Sequence, residues 1–141
     1  MDTPNIEQLK TLSPEVLYSR FIERVVELEA IWGLYHEKRE GWAVTVGEDK
    51  VERLVLWSES YYAKMNAEEA WKTYGAETMD IYGFVENGID ELKEQGRSVS
   101  IMYLPEVGGL EVDLDYLKRD LEEALVKAYP ELEDSSLDEE D

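Results

Sequence analysis

Apolar residues recur at helical spacing from the first turns of the chain. Ser13-Pro14 reads as a helix start, a hydroxyl cap followed by proline at the first helical position. Beyond it Leu17, Phe21, Val25 and Leu28 recur three or four residues apart, with Ile22 and Val26 widening the stripe. This predicts a helix to about Glu29 with one buried face. A short turn or helix is expected after Pro4, with Ile6 and Leu9 inward.

The pattern then changes period. Ile31–Tyr35, Trp42–Val46 and Val51–Trp57 are short β-rich runs, separated by the polar turns Glu37–Gly41 and Gly47–Lys50. They predict a three-stranded antiparallel meander. Ser58 is placed to cap a helix carrying Tyr61, Tyr62, Met65 and Trp71, followed by a short strand at Glu77–Met79. Asp80 caps the next helix, with Ile81, Phe84, Val85, Ile89 and Leu92 apolar and Gly96 as terminator. Gly83 and Gly88 each weaken such a helix by roughly 1 kcal/mol against alanine, so they mark close packing or a misplaced boundary. Ser98–Leu104 reads as a strand, Pro105–Gly109 as a turn and Leu110–Val112 as a short partner strand. Asp113 then caps a last helix with Leu114, Leu117, Leu121 and Leu125 inward. The sum is an α+β domain: a mixed, largely antiparallel sheet of about five or six strands, flanked by the N- and C-terminal helices.

Composition adds a charge asymmetry. The 141 residues are 43% hydrophobic and 34% charged, as a folded domain should be, but 34 acids face 14 bases and leave a net charge of -20. Residues 131–141 alone hold seven carboxylates and no base. They are expected to form a solvated tail on a single domain spanning 1–130. The acidic balance argues against nucleic-acid binding and against adsorption to anionic membranes. No apolar run approaches the length of a membrane span, and the N-terminus lacks the basic and apolar regions of a signal peptide, so a cytoplasmic location is expected. Cysteine is absent, which removes disulfides, thiolate metal sites and cysteine nucleophiles.

Several spaced aromatics and glycines have a familiar order. Trp32-Gly33-Leu34, Gly41-Trp42-Ala43 and Leu54-Val55-Leu56-Trp57-Ser58, leading to Tyr62-Ala63, resemble the bacterial family known as domain of unknown function 2750. Trp71, an Asp-initiated helix with Phe84, and Leu92…Gly96…Val99 continue the likeness, which covers roughly residues 13–125. The strand-to-helix rhythm is more weakly similar to the N-terminal domain of SseB-like proteins. The resemblance implies a small bacterial cytosolic protein and transfers no catalytic residue or cofactor.

Chemistry-bearing motifs are few. There is no phosphate-binding loop, and Gly108-Gly109 falls between strands as a hairpin turn. His36 is the one histidine; His36-Glu37-Lys38-Arg39-Glu40 starts like a zinc-protease signature but ends in glutamate and reads as a turn. Asp113-Leu114-Asp115 has the opening spacing of a calcium loop, yet Lys118 stands where glycine is required, and helix capping explains Asp113 better. No catalytic, cofactor-binding or metal residue is therefore assigned, and no cofactor is expected.

The leading expectation is a non-enzymatic, acidic protein-binding module, inhibitor- or immunity-like toward a basic protein, as a monomer or homodimer. Its candidate contact residues are the tyrosines Tyr61, Tyr74 and Tyr82 around the middle helices and the acids Glu131, Glu133, Asp134, Asp138 and Glu139 of the tail. Two alternatives compete: a small hydrolase with carboxylates in a cleft between the sheet and the helix at Tyr61, and a nucleic-acid mimic with an extended acidic stripe.

Overall fold

Ser13 caps the first long helix as its position requires, its hydroxyl accepting the Val16 amide at 3.3 Å with Pro14 in the first turn. The computed structural model describes residues 6–67, 71–104 and 107–131. A short helix α1 (Ile6–Lys10) precedes this helix, α2 (Pro14–Leu28), which buries Phe21, Val25 and Val26. Leu28 departs from the expected stripe and is exposed, because the helix ends there: Glu29 turns left-handed with φ 55° as its C-cap.

Strands β1 (Ala30–His36), β2 (Gly41–Trp42), β3 (Val44–Val46) and β4 (Glu52–Leu56) follow. They do not make the simple meander expected. The run at Trp42–Val46 breaks at Ala43, with β2 pairing on β1 and β3 on β4, so that one strand serves two sheets. Ala43 forms the corner, donating to the Leu34 carbonyl at 2.8 Å and accepting from the Val55 amide at 3.3 Å. Two residues further along each flanking strand, Trp32 and Trp57 exchange both backbone hydrogen bonds, at 2.8 and 2.9 Å. Ala43 is 1% exposed, and only a small side chain suits a point where three backbones converge.

Helix α3 (Ser60–Ala67) buries Tyr62 and Ala63. Trp71 lies beyond it in a turn rather than on the helix, yet remains in the core, edge-on to Trp57 and Tyr103 with ring centres 6.4 and 5.5 Å away. Strand β5 (Gly75–Asp80) is longer than its polar sequence suggested, pairing antiparallel with β1 from Tyr35↔Gly75 to Ala30↔Asp80. It lies at one end of the order β2-β1-β5, so most of its side chains meet solvent and no apolar alternation announces it.

The next helix is one body of three parts: α4 (Ile81–Gly83), a π-helical turn (Phe84–Gly88) and α5 (Ile89–Glu94). Asp80 caps it through the Gly83 amide at 2.9 Å, and Gly96, at φ 72°, ends it. The second sheet is completed by β6 (Ser98–Leu104), parallel to β4, and β7 (Gly108–Glu111), antiparallel to β6. Gly108 and Gly109 thus belong to a strand, not to the turn alone. The β6–β7 ladder shifts register between Ile101 and Leu104, where Met102 adopts φ 56°, a bulge inside the sheet. Helix α6 (Leu114–Ala128) follows β7 and buries the four leucines expected. It packs on α2, which itself lies against β1 and β6, while α3 lies against β1 and β5. The architecture is α+β, with seven strands in two largely antiparallel sheets among the described residues.

Candidate functional site

The π-helical turn has a local cause in sequence. Ile89 donates its amide to the Phe84 carbonyl, five residues back, and Gly88 faces the Phe84 ring so closely that a Cβ there would stand 3.0 Å from Cδ1. The extra residue keeps Phe84, Val85, Ile89 and Leu92 all directed inward despite the widened turn. A second close approach lies opposite. A Cβ on Gly33 would stand 3.0 Å from Trp42 Cε3 and 3.1 Å from Met79 Cε, so the glycine lets both side chains lie across β1. Tyr35 supports Trp42 edge-on, with ring centres 5.0 Å apart.

Between these features runs a groove of about 270 Å3. Trp42, Val44, Leu54, Met79, Phe84 and Leu92 give it apolar walls, and Glu40, Glu91, Gln95 and Arg97 stand at its polar rim. Arg97 is neutralised by Glu52, Nε to Oε1 at 2.7 Å. Glu40 and Glu91 are exposed and have no ion pair among the described residues. The rim is therefore negative over an apolar floor.

A larger, shallower cleft of about 640 Å3 lies between Lys93, Arg97 and the start of α6. Its acids are committed. Asp113 accepts the amides of Asp115 and Tyr116 at 3.1 and 3.2 Å, Asp115 accepts from Lys93 at 2.6 Å, and Glu111 from Arg53 at 2.9 Å. Arg53 reaches Glu111 across β6 while gripping Asp49 with both Nη atoms, at 3.1 and 2.7 Å. That fork and the Val51 amide pull the Asp49 carboxyl down to about 2.

The space where α2 and α3 meet over the ends of β4 and β6 is filled. Leu17, Phe21, Tyr62 and Met102 leave about 10 Å3 there, room for one water at most. Ser58 donates to Met102 Sδ at 3.7 Å, and Glu59 accepts from Arg24 Nε at 3.2 Å. Burial, with the Glu59 charge adding to it, pushes the Tyr62 phenol up to about 12. Among the described residues, no three His, Asp or Glu side chains converge as a metal site, and no helix is long and apolar enough to cross a membrane.

The tyrosines singled out from sequence are dispersed. Tyr61, 45% exposed, stands on α3 beside Tyr62, with ring centres 5.3 Å apart. Tyr74 precedes β5 and packs edge-on to His36 at 5.0 Å. His36 is the half-buried last residue of β1 rather than a free turn residue, and its Nδ1 accepts the Arg39 amide at 3.2 Å. Tyr82 lies past the opposite end of the β1–β5 ladder, roughly 20 Å away at about 3.3 Å per residue. There its hydroxyl donates to Glu29 Oε1 at 2.9 Å, and Tyr129 donates to Oε2 of the same carboxylate at 3.3 Å. Partial burial and the Glu29 hydrogen bond raise the Tyr82 phenol to about 12. Glu131 is exposed at this end of the molecule and adds its field to Tyr129, so Tyr82 and Glu131 share one neighbourhood. Glu133, Asp134, Asp138 and Glu139 lie outside the described residues.

Sequence reasoning missed the groove. Gly88 within a helix and Gly33 beside Trp32 were its visible traces, but the convergence of Trp42, Met79 and Phe84 on one groove is a tertiary fact. No curated protein and no solved structure matches the chain, and the likeness to SseB-like domains finds no support. Residues 18–121, which include every residue named here for the groove, match the family described as protein of unknown function (DUF2750), and the chain belongs to that family.

Proposed function

We propose that this chain is a non-enzymatic protein-binding module of the bacterial cytosol, which docks a basic protein and occludes it in the manner of an inhibitor or immunity protein. The observation that carries this reading is the groove at the π-turn, whose apolar floor is bordered by Glu40 and Glu91, acids with no ion pair among the described residues. Apolar centres with polar rims are the usual anatomy of protein interfaces. The net charge of -20 supplies a long-range field that accelerates encounter with a cationic surface. The acids of the larger cleft are held by bases or by the α6 amides, an arrangement suited to structure more than to proton transfer.

The test is capture from a bacterial lysate on the immobilised full-length chain at low and at raised salt. A parallel sample has the seven tail carboxylates replaced by their amides. The reading expects a partner of high isoelectric point, released as salt rises. A neutral partner retained equally at both salt concentrations overturns it.

A further inference from the structure

We propose that the π-turn groove receives one bulky apolar side chain from a partner segment that carries lysine or arginine on both sides of that anchor. The inference rests on the binding reading above and specifies its partner chemistry. A volume of about 270 Å3 suits a single large side chain, aromatic or long aliphatic, rather than a folded surface. Trp42, Met79 and Phe84 offer such an anchor polarisable, mostly apolar walls of the kind that dominate interface energetics.

Charge selects among occupants. Glu40 and Glu91 flank the groove with no internal counter-ion among the described residues, and Glu94 stands exposed on the same helix as Glu91, while Asp90 is held by Lys118 at 3.6 Å. Arg97, the cation at the rim, already holds Glu52. The chain's own residues 131–141, with seven carboxylates and no base, would be repelled from such a rim. A second copy would bring the same acidic rim and a further net charge of -20. A basic segment is instead drawn to the rim glutamates, and two cationic residues spaced around an anchor would each reach one of them. The groove is also built to stay open: Gly88 and Gly33 hold Phe84, Trp42 and Met79 against backbone, where any side chain would displace them.

The test uses the full-length chain, isotope-labelled, titrated with three capped pentapeptides: Lys-Lys-Phe-Lys-Lys, Lys-Lys-Ala-Lys-Lys and Glu-Glu-Phe-Glu-Glu. The expected result is that the phenylalanine–lysine probe shifts the Trp42 indole and the Gly88 and Glu91 amides. It should bind about tenfold or more tighter than the alanine probe, the return expected for burying one aromatic side chain. The glutamate probe should leave those signals unmoved. Glu40→Lys with Glu91→Lys, both at exposed positions, should weaken the phenylalanine–lysine probe about tenfold while the remaining spectrum stays in place. Equal binding of the phenylalanine and alanine probes, or shifts confined to the tail or to the Tyr82 end, overturns the groove assignment and leaves electrostatic docking standing. No binding of either basic probe at low salt overturns both.

Discussion

Gly88 lies against the ring of Phe84 across a single π-helical turn, close enough that a methyl group would stand 3.0 Å from ring Cδ1. The consequences of filling that gap are calculable. Alanine would gain about 1 kcal/mol in helix propensity, but the Phe84 ring must yield by a few tenths of an ångström, and the free space beside it is the groove. Gly88→Ala is therefore expected to change stability by less than about 1 kcal/mol in denaturant unfolding while weakening the basic phenylalanine probe. Gly83→Ala is the control. Its methyl would meet only Asp80 Oδ2 at 3.5 Å, an ordinary contact, and the φ of -64° is already helical. That variant should be more stable by about 0.5–1 kcal/mol with probe binding unchanged.

Gly109 is a stricter case. A Cβ there would collide with Ser100 Oγ and press on the Ile101 carbonyl at 3.1 Å and Tyr103 Cα at 3.2 Å, two of them backbone atoms of the bulged strand. Ser100 is itself buried, so its side chain has no open volume to enter. Gly109→Ala should lose about 1–3 kcal/mol, and more where the bulge at Met102 is forced to rearrange. Chemical denaturation followed by the fluorescence of buried Trp57 measures it. Wild-type stability in the variant would show that β7 pairs differently.

Asp113 holds two amides at the first turn of α6, those of Asp115 and Tyr116. Asp113→Ala should cost about 1 kcal/mol and Asp113→Asn much less, since the amide oxygen can still accept. The two unfolding midpoints, compared under one set of conditions, decide it; equal losses would mean that the cap contributes through charge instead.

Two titrations bracket the pH behaviour. Asp49 is held down to about 2 by Arg53, below its ordinary value, so the stabilisation it brings is complete above the usual aspartate range and is lost as pH falls through about 2. Arg53→Lys, which cannot fork to both Asp49 oxygens, should return the Asp49 carboxyl toward 3.8 in a carbon-detected NMR titration. Tyr82 has the opposite sign. Its phenol is raised to about 12 by partial burial and by Glu29, so that contribution is intact below pH 10 and fades as pH rises through about 12. Ultraviolet titration should show one fewer late-ionising phenol in Tyr82→Phe; if the phenol lost is instead one that titrates near 10, the Glu29 contact is not formed in solution.

The helices could be placed from sequence because each rests on local physics. Ser13 and Asp113 cap where a short polar side chain meets an apolar stripe, and Leu114, Leu117, Leu121 and Leu125 repeat at the helical period. Their burial needs only some core to exist. The aromatic and glycine order at Trp32-Gly33, Gly41-Trp42 and Trp57-Ser58 pointed to the family that residues 18–121 match. Other features were beyond local reading. Strand β5 lies at the end of its sheet and has little apolar alternation, and Met102 takes a left-handed φ that its own type does not favour, because the β6–β7 register demands a bulge. The β-rich run across Trp42–Val46 carries no turn residue, yet the strand divides at Ala43, where Leu34 and Val55 bind its two sides and Trp32 meets Trp57. The groove belongs to this second class. Its walls come from positions 42, 79 and 84, and only close backbone approach at Gly33 and Gly88 brings them to one cavity. Periodicity and capping are properties of neighbouring residues, so the chain alone fixes them. Strand division, the bulge and the groove depend on distances between segments far apart in sequence, and only the packed structure sets those.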